Sequence, residues 1–299
     1  MLDLHRLQLL RELSLRGTVG AVAAALNYAP STISAQLARL EAEAGTELLE
    51  HVGRGVRLTP AAQVLADHAQ GMLDAMERAE ADLAAATHQV SGTVRVSMFQ
   101  SAALALLPGA LRRLAHEHPH LRVQMTQREP EMALRETWAR DFDLVVAEQY
   151  PHHAAEHLPG LIRTPLARDR LRLAVGTALA ASVPVTSLPD AAGLPWVLEP
   201  APAASRHWAL QQCRRAGFEP DVRYESADLQ AHVQLVEAGL AVTILPGILG
   251  GYRRPRVRWV GLPRNPHREI FTSMREATTT HPGALAVRAA FEAQAGTYA

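Results

Sequence analysis

Ser31, Thr32, Ser34 and Gln36 cluster on what would be the outward side of a short amphipathic segment, and Arg54 and Arg57 follow in a glycine-flanked run, Gly53-Arg54-Gly55-Val56-Arg57. Short hydroxyls and a carboxamide can reach base edges in a DNA major groove. Gln pairs with adenine there, and small side chains such as Ala35 leave room for a thymine methyl. Arginines beside such a helix, with Arg39 at its far end, would neutralise phosphates. The competing interpretation is an ordinary helix with a polar solvent face. A second group of residues falls at the ends of expected strands and the starts of expected helices: Phe99, Gln100 and Ser101; Glu148 and Gln149; Glu199, Pro200 and Ser205; Ser226 and Asp228; and Pro246. Serines at helix N-termini favour a carboxylate or phosphate, although capping alone also accounts for them. Glu148 and Asp228 would select an amine or hydroxyl, so an amino-acid-like ligand fits both signs.

The elements needed to hold the first group are legible. Leu4, Leu7, Leu10 and Leu13 recur at near-helical spacing, and Gly17 is a helix stop. Thr18 stands where an N-cap belongs, and Val22, Ala23 and Leu26 give a second helix a flat, small-residue face. Asn27-Tyr28-Ala29 makes the turn. Pro30 suits the first position of the next helix, whose Ile33, Leu37 and Leu40 point inward at i, i+4 and i+7. A hairpin wing follows over residues 53–59. The expectation is an all-α winged helix-turn-helix over residues 1–58.

Thr59-Pro60 then starts a long linker helix over residues 59–90. Leu65, Ala69, Met72, Met76, Ala79 and Leu83 fall at alternating steps of four and three, which is a coiled-coil seam. Packing on its own domain is the alternative. A paired seam would place two recognition helices about a two-fold axis, suited to an inverted-repeat operator.

The 299 residues allow about two domains. Every basic side chain is arginine, and the net charge is zero. Within residues 1–60, Arg6, Arg11, Arg16, Arg39, Arg54 and Arg57 are balanced by Asp3, Glu12, Glu41, Glu43, Glu47 and Glu50. A DNA-binding face therefore depends on how the arginines are placed, since phosphate contacts supply most of the affinity. No apolar run reaches the roughly 18 residues of a membrane span, and the N-terminus does not read as a signal peptide. A cytoplasmic protein with no membrane partner is expected. The single cysteine, Cys213, cannot form a disulfide within one chain.

Taken together, residues 1 to about 90 resemble the LysR-type transcriptional regulators. The resemblance rests on Gly17-Thr18, Val22-Ala23, Leu26, the stretch from Ser31 to Gln36 with Ser34, Leu40-Glu41, Gly45, Leu48-Leu49, the basic wing and Leu58-Thr59. Ala35 stands where that family often carries a contacting Arg, Leu49 where Phe is usual and His51 where Arg is usual. Fewer cations imply weaker non-specific binding, or more reliance on avidity between subunits.

From Ser91-Gly92 strands alternate with helices, the texture of a parallel α/β architecture. Strands are expected over 93–98, 121–126, 143–147, 171–175, 196–198, 241–245, 258–260 and 270–274. Helices are expected over 101–116, 131–139, 205–216, 226–238 and 284–293. This layout is similar to the effector-binding domain of the same family, which is itself periplasmic-binding-protein-like. By that resemblance the domain spans 91–299, with subdomain I at 91–164 and 268–299, subdomain II at 165–267, and a small-molecule effector between them.

Of the histidine groups His116, His118, His120 and His152, His153, His157, only His153 and His157 have the i, i+4 spacing of paired metal ligands, and no Cys or Glu-rich motif accompanies them, so no metal or cofactor is expected. Cys213 sits in Leu-Gln-Gln-Cys-Arg-Arg, where Arg214 and Arg215 could lower its pKa, yet a quiet helix position is the simpler assignment. No nucleophile elbow, phosphate loop or dinucleotide fingerprint occurs, so no enzyme is expected. The sequence points to an effector-controlled regulator that binds double-stranded DNA as a homodimer or homotetramer, with RNA polymerase as a further partner the resemblance admits. The rival is a solute-binding or protein-interaction module without specific DNA readout.

Overall fold

A computed structural model describes residues 1–53, 55–87, 90–252 and 255–296. The chain divides into two compact units, Met1–His88 and Gln89–Ala299.

The first unit holds α1 (Leu4–Arg16), α2 (Val19–Leu26), α3 (Pro30–Ala44), β1 (Leu49–Val52), β2 (Gly55–Leu58) and α4 (Pro60–Ala86). Its ends are set locally. Asp3 and Thr18 accept from the amides of Arg6 and Ala21 and so cap α1 and α2. Gly17 and Asn27 close those helices in left-handed conformations, which glycine and asparagine tolerate best. Pro30 opens α3, where its missing N–H costs nothing. The Glu41 carboxylate then accepts from the amides of Leu48 and Leu49 at 2.8 and 3.0 Å, fixing the chain as it enters the wing. The wing pairs Leu49 with Leu58 and Val52 with Gly55. Ile33, Leu37 and Leu40 join Leu7, Leu10, Leu13 and Val22 in one buried cluster.

The stripe of α4 differs from the expected seam. Ala62, Ala66 and Ala69 are buried in that same cluster, with Leu65 packed against it. Two of the residues assigned to dimerisation, Leu65 and Ala69, thus serve the unit's own core, because small side chains on α4 let α1 approach closely. Met72, Met76 and Leu83 stay exposed, at 45, 47 and 69 %, and Ala79 is exposed beside them.

The second unit runs β3 (Gly92–Met98), α5 (Gln100–Glu117), β4 (Leu121–Gln127), α6 (Pro130–Trp138), β5 (Leu144–Gln149), β6 (Leu161–Gly176), α7 (Thr177–Ser182), β7 (Pro195–Leu198), α8 (Ala204–Arg215), β8 (Asp221–Glu225), α9 (Leu229–Glu237), β9 (Val242–Pro246), α10 (Leu249–Tyr252), β10 (Val257–Gly261), β11 (His267–Arg275) and α11 (Pro282–Ala295). The strands order as β4-β3-β5-β11-β6-β9-β7-β8, with β10 also on β6. β3 is parallel to both β4 and β5, and β7 is parallel to both β8 and β9, which gives each half its own α/β character.

Two strands depart from expectation. β6 is 16 residues long and serves both halves, pairing with β11 over its first ten residues and with β9 and β10 beyond Arg170. β8 was not anticipated at all. Each half has a core of its own, and Ile248 of the second half packs into the core of the first. Val94, Val96 and Leu106 pack with Phe291 in one, and Leu173, Trp196, Trp208 and Cys213 form the other. Gly176 ends β6 beside α9, where an added Cβ would lie 2.1 Å from the carbonyl oxygen of Val236, so only glycine fits.

Candidate functional site

On α3 the backbone turns Ser31, Thr32, Ser34, Ala35 and Arg39 outward, all of them exposed, with Pro30 and Thr18 exposed beside them. Gln36 is half-buried, and its Oε1 accepts from Arg6 Nε at 2.9 Å. Arg6 also pairs with Glu43. Arg11 is buried beside Glu12 and Gln70, and Arg16 holds the same Glu12 at 2.7 Å. The helical arginines are therefore largely neutralised by local acids. Arg57 on the wing pairs with Glu50 at 2.6 Å, but both side chains are well exposed, so the pair is weak and screened. Arg39 on α3 and Arg78 on α4 are exposed arginines of this unit with no ion pair among the described residues. Arg54 lies outside the described residues.

The second candidate site is a cleft between the two halves of the second unit. It is lined by Phe99, Gln100, Ser101, Glu129, Glu148, Tyr150, Leu171, Leu198, Glu199, Ser205, Arg206, Trp208, Ala209, Leu229, His232, Thr243, Ile244, Pro246 and Arg268. About 40 Å³ of it admits the centre of a water molecule, room for a few waters. Of the residues expected here, Phe99, Gln100, Ser101, Glu148, Glu199, Ser205 and Pro246 line it. Pro200, Ser226 and Asp228 do not. Gln149 points the other way, since neighbours on a strand alternate faces. Glu148 and Tyr150 face the cleft, while Gln149 donates to Glu269 at 2.8 Å in an open groove behind it.

The expected serine caps take other roles. Ser101 Oγ accepts from Arg268 at 2.8 Å, Ser205 donates to Glu199, and Ser226 Oγ accepts from the amide of Asp228 at 3.1 Å. Asp228 itself caps α9. A side-chain partner outcompetes a cap where a charged group lies within reach.

Arg268 is the centre of the cleft floor. It is 2 % exposed, donates to Asp169 at 2.9 Å and to Glu148, and stacks its guanidinium 5.1 Å from the Phe99 ring centroid. Asp169 also accepts from the amide of Ile248 at 2.9 Å, tying the end of β9 into the cluster. Two carboxylates share one guanidinium. Burial pushes the Glu148 carboxyl up to about 7 against the pull of Arg268, with Glu199, Glu129 and Asp169 adding repulsion. Desolvation where it lines the cleft, then the charges of Glu199 and Glu131, likewise push Glu129 up to about 7, although its side chain keeps contact with solvent. His232 is buried with Nε2 2.7 Å from the Ser226 carbonyl, and desolvation lowers its pKa.

Sequence reasoning missed Glu129, Tyr150, Trp208, His232 and Arg268. Glu129 follows β4 directly before Pro130 and was open to the same strand-end rule. Arg268 stands in the alternating run Arg268-Glu269-Ile270, but its cleft side follows only from pairing with β6.

Cys213 is buried, and desolvation with nearby Glu219 pushes its thiol up to about 12. Arg214 is held by Glu219 at 2.6 Å and does not lower it. Among the described residues no group of three or more His, Cys, Asp or Glu side chains is placed to hold a metal ion, and no helix is long and apolar enough to cross a membrane.

Residues 4–63 match the family profile described as "Bacterial regulatory helix-turn-helix protein, lysR family", and residues 87–296 match "LysR substrate binding domain". The chain is similar to the transcriptional dual regulator GltC of Bacillus subtilis, 28% identical over 287 residues, covering 92% of this chain and 95% of that protein. It is 32% identical over 231 residues to a probable hydrogen peroxide-inducible genes activator of Mycobacterium avium, covering 75% and 71%. In fold it resembles a full-length OxyR variant from Pseudomonas aeruginosa (TM-score 0.70, 16% identity, 97% and 95% covered). It also resembles CbnR in complex with its target DNA (TM-score 0.54, 22% identity, 98% and 100% covered). The match over α1 to β2 and the first turn of α4 is to a DNA-binding domain, which sets aside an interaction module without DNA readout. With both of its domains matched in order, the chain belongs to the LysR family of DNA-binding transcriptional regulators, a helix-turn-helix domain followed by a two-subdomain effector-binding domain.

Proposed function

We propose that this regulator reads an inverted-repeat operator as a homodimer, or as a tetramer of such dimers, through Ser31, Thr32, Ser34, Ala35 and Gln36. Arg39, Arg54 and Arg57 would contact phosphates. Residues 1–58 form the reader, 59–90 the pairing helix and 91–299 the sensor. The exposed Met72, Met76 and Leu83 on α4 support a second copy of that helix as its cover. It works in the cytoplasm by binding, without turnover, and acts on transcription with or without direct contact to RNA polymerase.

The sensor answers to a small molecule held in the cleft, with an amine at one end as in an amino acid. The observation that carries this is the Arg268 cluster. Ser101 and Glu148 from one subdomain, Ile248 after β9 from the other, and Asp169 and Arg268 on the crossing strands meet in one buried network beside the cavity. A ligand entering there changes contacts to both halves at once, which is what an effector needs to bias closure and so shift operator affinity. Fluorescence anisotropy with the DNA upstream of the protein's own gene tests the reader. Ser34→Ala and Gln36→Ala, with unchanged circular dichroism, are expected to lose operator preference about tenfold, in line with one lost base contact. Unchanged preference in both would remove this assignment.

A further inference from the structure

The lining of the cleft also specifies the charge of its ligand, given the reading that the cleft is the effector site. Glu129, Glu148 and Glu199 all line it. The cations that could offset them are spent. Arg268 is shared between Asp169 and Glu148, and Arg206 is taken by Glu225 at 2.6 Å and by the Glu199 carbonyl at 2.8 Å. Glu199 receives only the hydroxyl of Ser205, and the carboxylate of Glu129 has neither an ion pair nor a hydrogen bond among the described residues. A carboxylate ligand entering here would meet acids and no free guanidinium.

A second, independent observation points to a ligand. Trp208 is 2 % exposed and lines the same cavity, and its Nε1 has no hydrogen-bond partner. A buried indole N–H without an acceptor is costly and uncommon. The Trp208 ring also lies beside Tyr150, with centroids 5.8 Å apart. Aromatic faces next to carboxylates are the surroundings that organic cations prefer.

We propose that the cleft takes a small organic cation bearing a neutral hydrogen-bond acceptor. Its positive nitrogen sits between Glu129 and Glu199 against the aromatic rings, and its amide or hydroxyl oxygen accepts from Trp208 Nε1. The amine end expected of an amino-acid-like effector is kept, and its carboxylate end is replaced by a neutral group. The small volume of the cavity restricts the ligand to a handful of heavy atoms unless the subdomains part.

Titration calorimetry on the full chain at pH 7.5 with 3-aminopropanamide, propylamine and propanoate tests this. 3-Aminopropanamide is expected to bind, propylamine to bind at least fivefold more weakly and propanoate to give no heat. Glu199→Gln and Glu129→Gln each weaken 3-aminopropanamide tenfold or more, and Trp208→Phe, which keeps a ring, abolishes the advantage of the amide over propylamine. Binding of propanoate with both amines silent overturns the charge assignment and leaves the effector reading standing. Heat from none of the three also overturns it. Ser205→Phe, which blocks the cleft mouth, then reads the effector role itself. A shifted operator affinity in that variant keeps the role, and an unshifted one in a folded variant removes it.

Discussion

Gln100, the first residue of α5, reaches across the cleft to Asp228, the cap of α9, and donates to its carboxylate at 2.8 Å. The same carboxamide accepts from the amide of Leu229 at 2.7 Å. One side chain thus closes two hydrogen bonds between helix starts that belong to different subdomains. Both residues were expected to hold the effector, and here they hold each other.

Removing that clasp loosens closure without touching the charged floor. Gln100→Ala forfeits about 1 kcal/mol of net hydrogen bonding, roughly a fivefold shift. Amide hydrogen exchange at Leu229 is expected to quicken by about that factor while core amides such as that of Val96 are unchanged. Unaltered exchange at Leu229 would show that the two subdomains stay together without it.

Arg268→Met leaves Asp169 and Glu148 buried without their cation. Breaking a buried pair in this way costs about 3–5 kcal/mol, expected in chemical denaturation at pH 7.5. The loss is smaller at pH 5, where the orphaned carboxyls can take up protons. Equal losses at both values would assign the cost to packing on Phe99.

The raised carboxyls give stability a definite pH dependence. Glu129 has a folded pKa of about 7 against an ordinary value of 4.5. Between those values the folded protein binds more protons than the unfolded chain, so stability falls as pH rises through that window. Glu148 acts in the same direction. Glu129→Gln is therefore expected to raise the denaturation midpoint at pH 8 and to leave it unchanged at pH 4, measured by urea titration. A midpoint that falls at pH 8 would reverse the sign.

Cys213 should not sense oxidants, although the relatives of the chain include a probable hydrogen peroxide-inducible genes activator. It is buried, its thiol is pushed up to about 12, and it is the single cysteine. Reaction depends on the thiolate and on access. Ellman's reagent is expected to label it only in denaturant, and millimolar peroxide to leave operator affinity unchanged. Fast labelling of the folded protein would contradict the burial.

The first unit was legible because its signals are short-range. Thr18 caps three residues on, Gly17 and Asn27 end the helices they follow, and Glu41 serves amides seven and eight residues ahead. The sensor was legible where strands were apolar, as in Leu144–Gln149, and illegible where charge hid them. Asp221–Glu225 alternates Asp, Arg and Glu with Val and Tyr at the sheet edge. The first half of β6, with Arg163, Pro165, Arg168 and Arg170, becomes a strand only against β11. The strand-end rule found Phe99, Ser101, Glu148 and Glu199 for the cleft. It could not find Trp208 in the middle of α8 or Arg268 near the start of β11, since both are brought in by tertiary pairing.

β6 bears on how far the sensor can move. Because it pairs with β11 along its first ten residues, with one bulge at Leu166 opposite Ile270 and Phe271, and with β9 and β10 for the rest, the subdomains share a spine that is paired on both sides almost throughout. A sharp bend would break ladder bonds on both sides, whereas a small rotation about the strand axis stretches each of them slightly. Opening is then torsional, like winding a flat spring. The clasp at Gln100 ties two helix starts across that twist, so it strains as soon as the spine begins to wind.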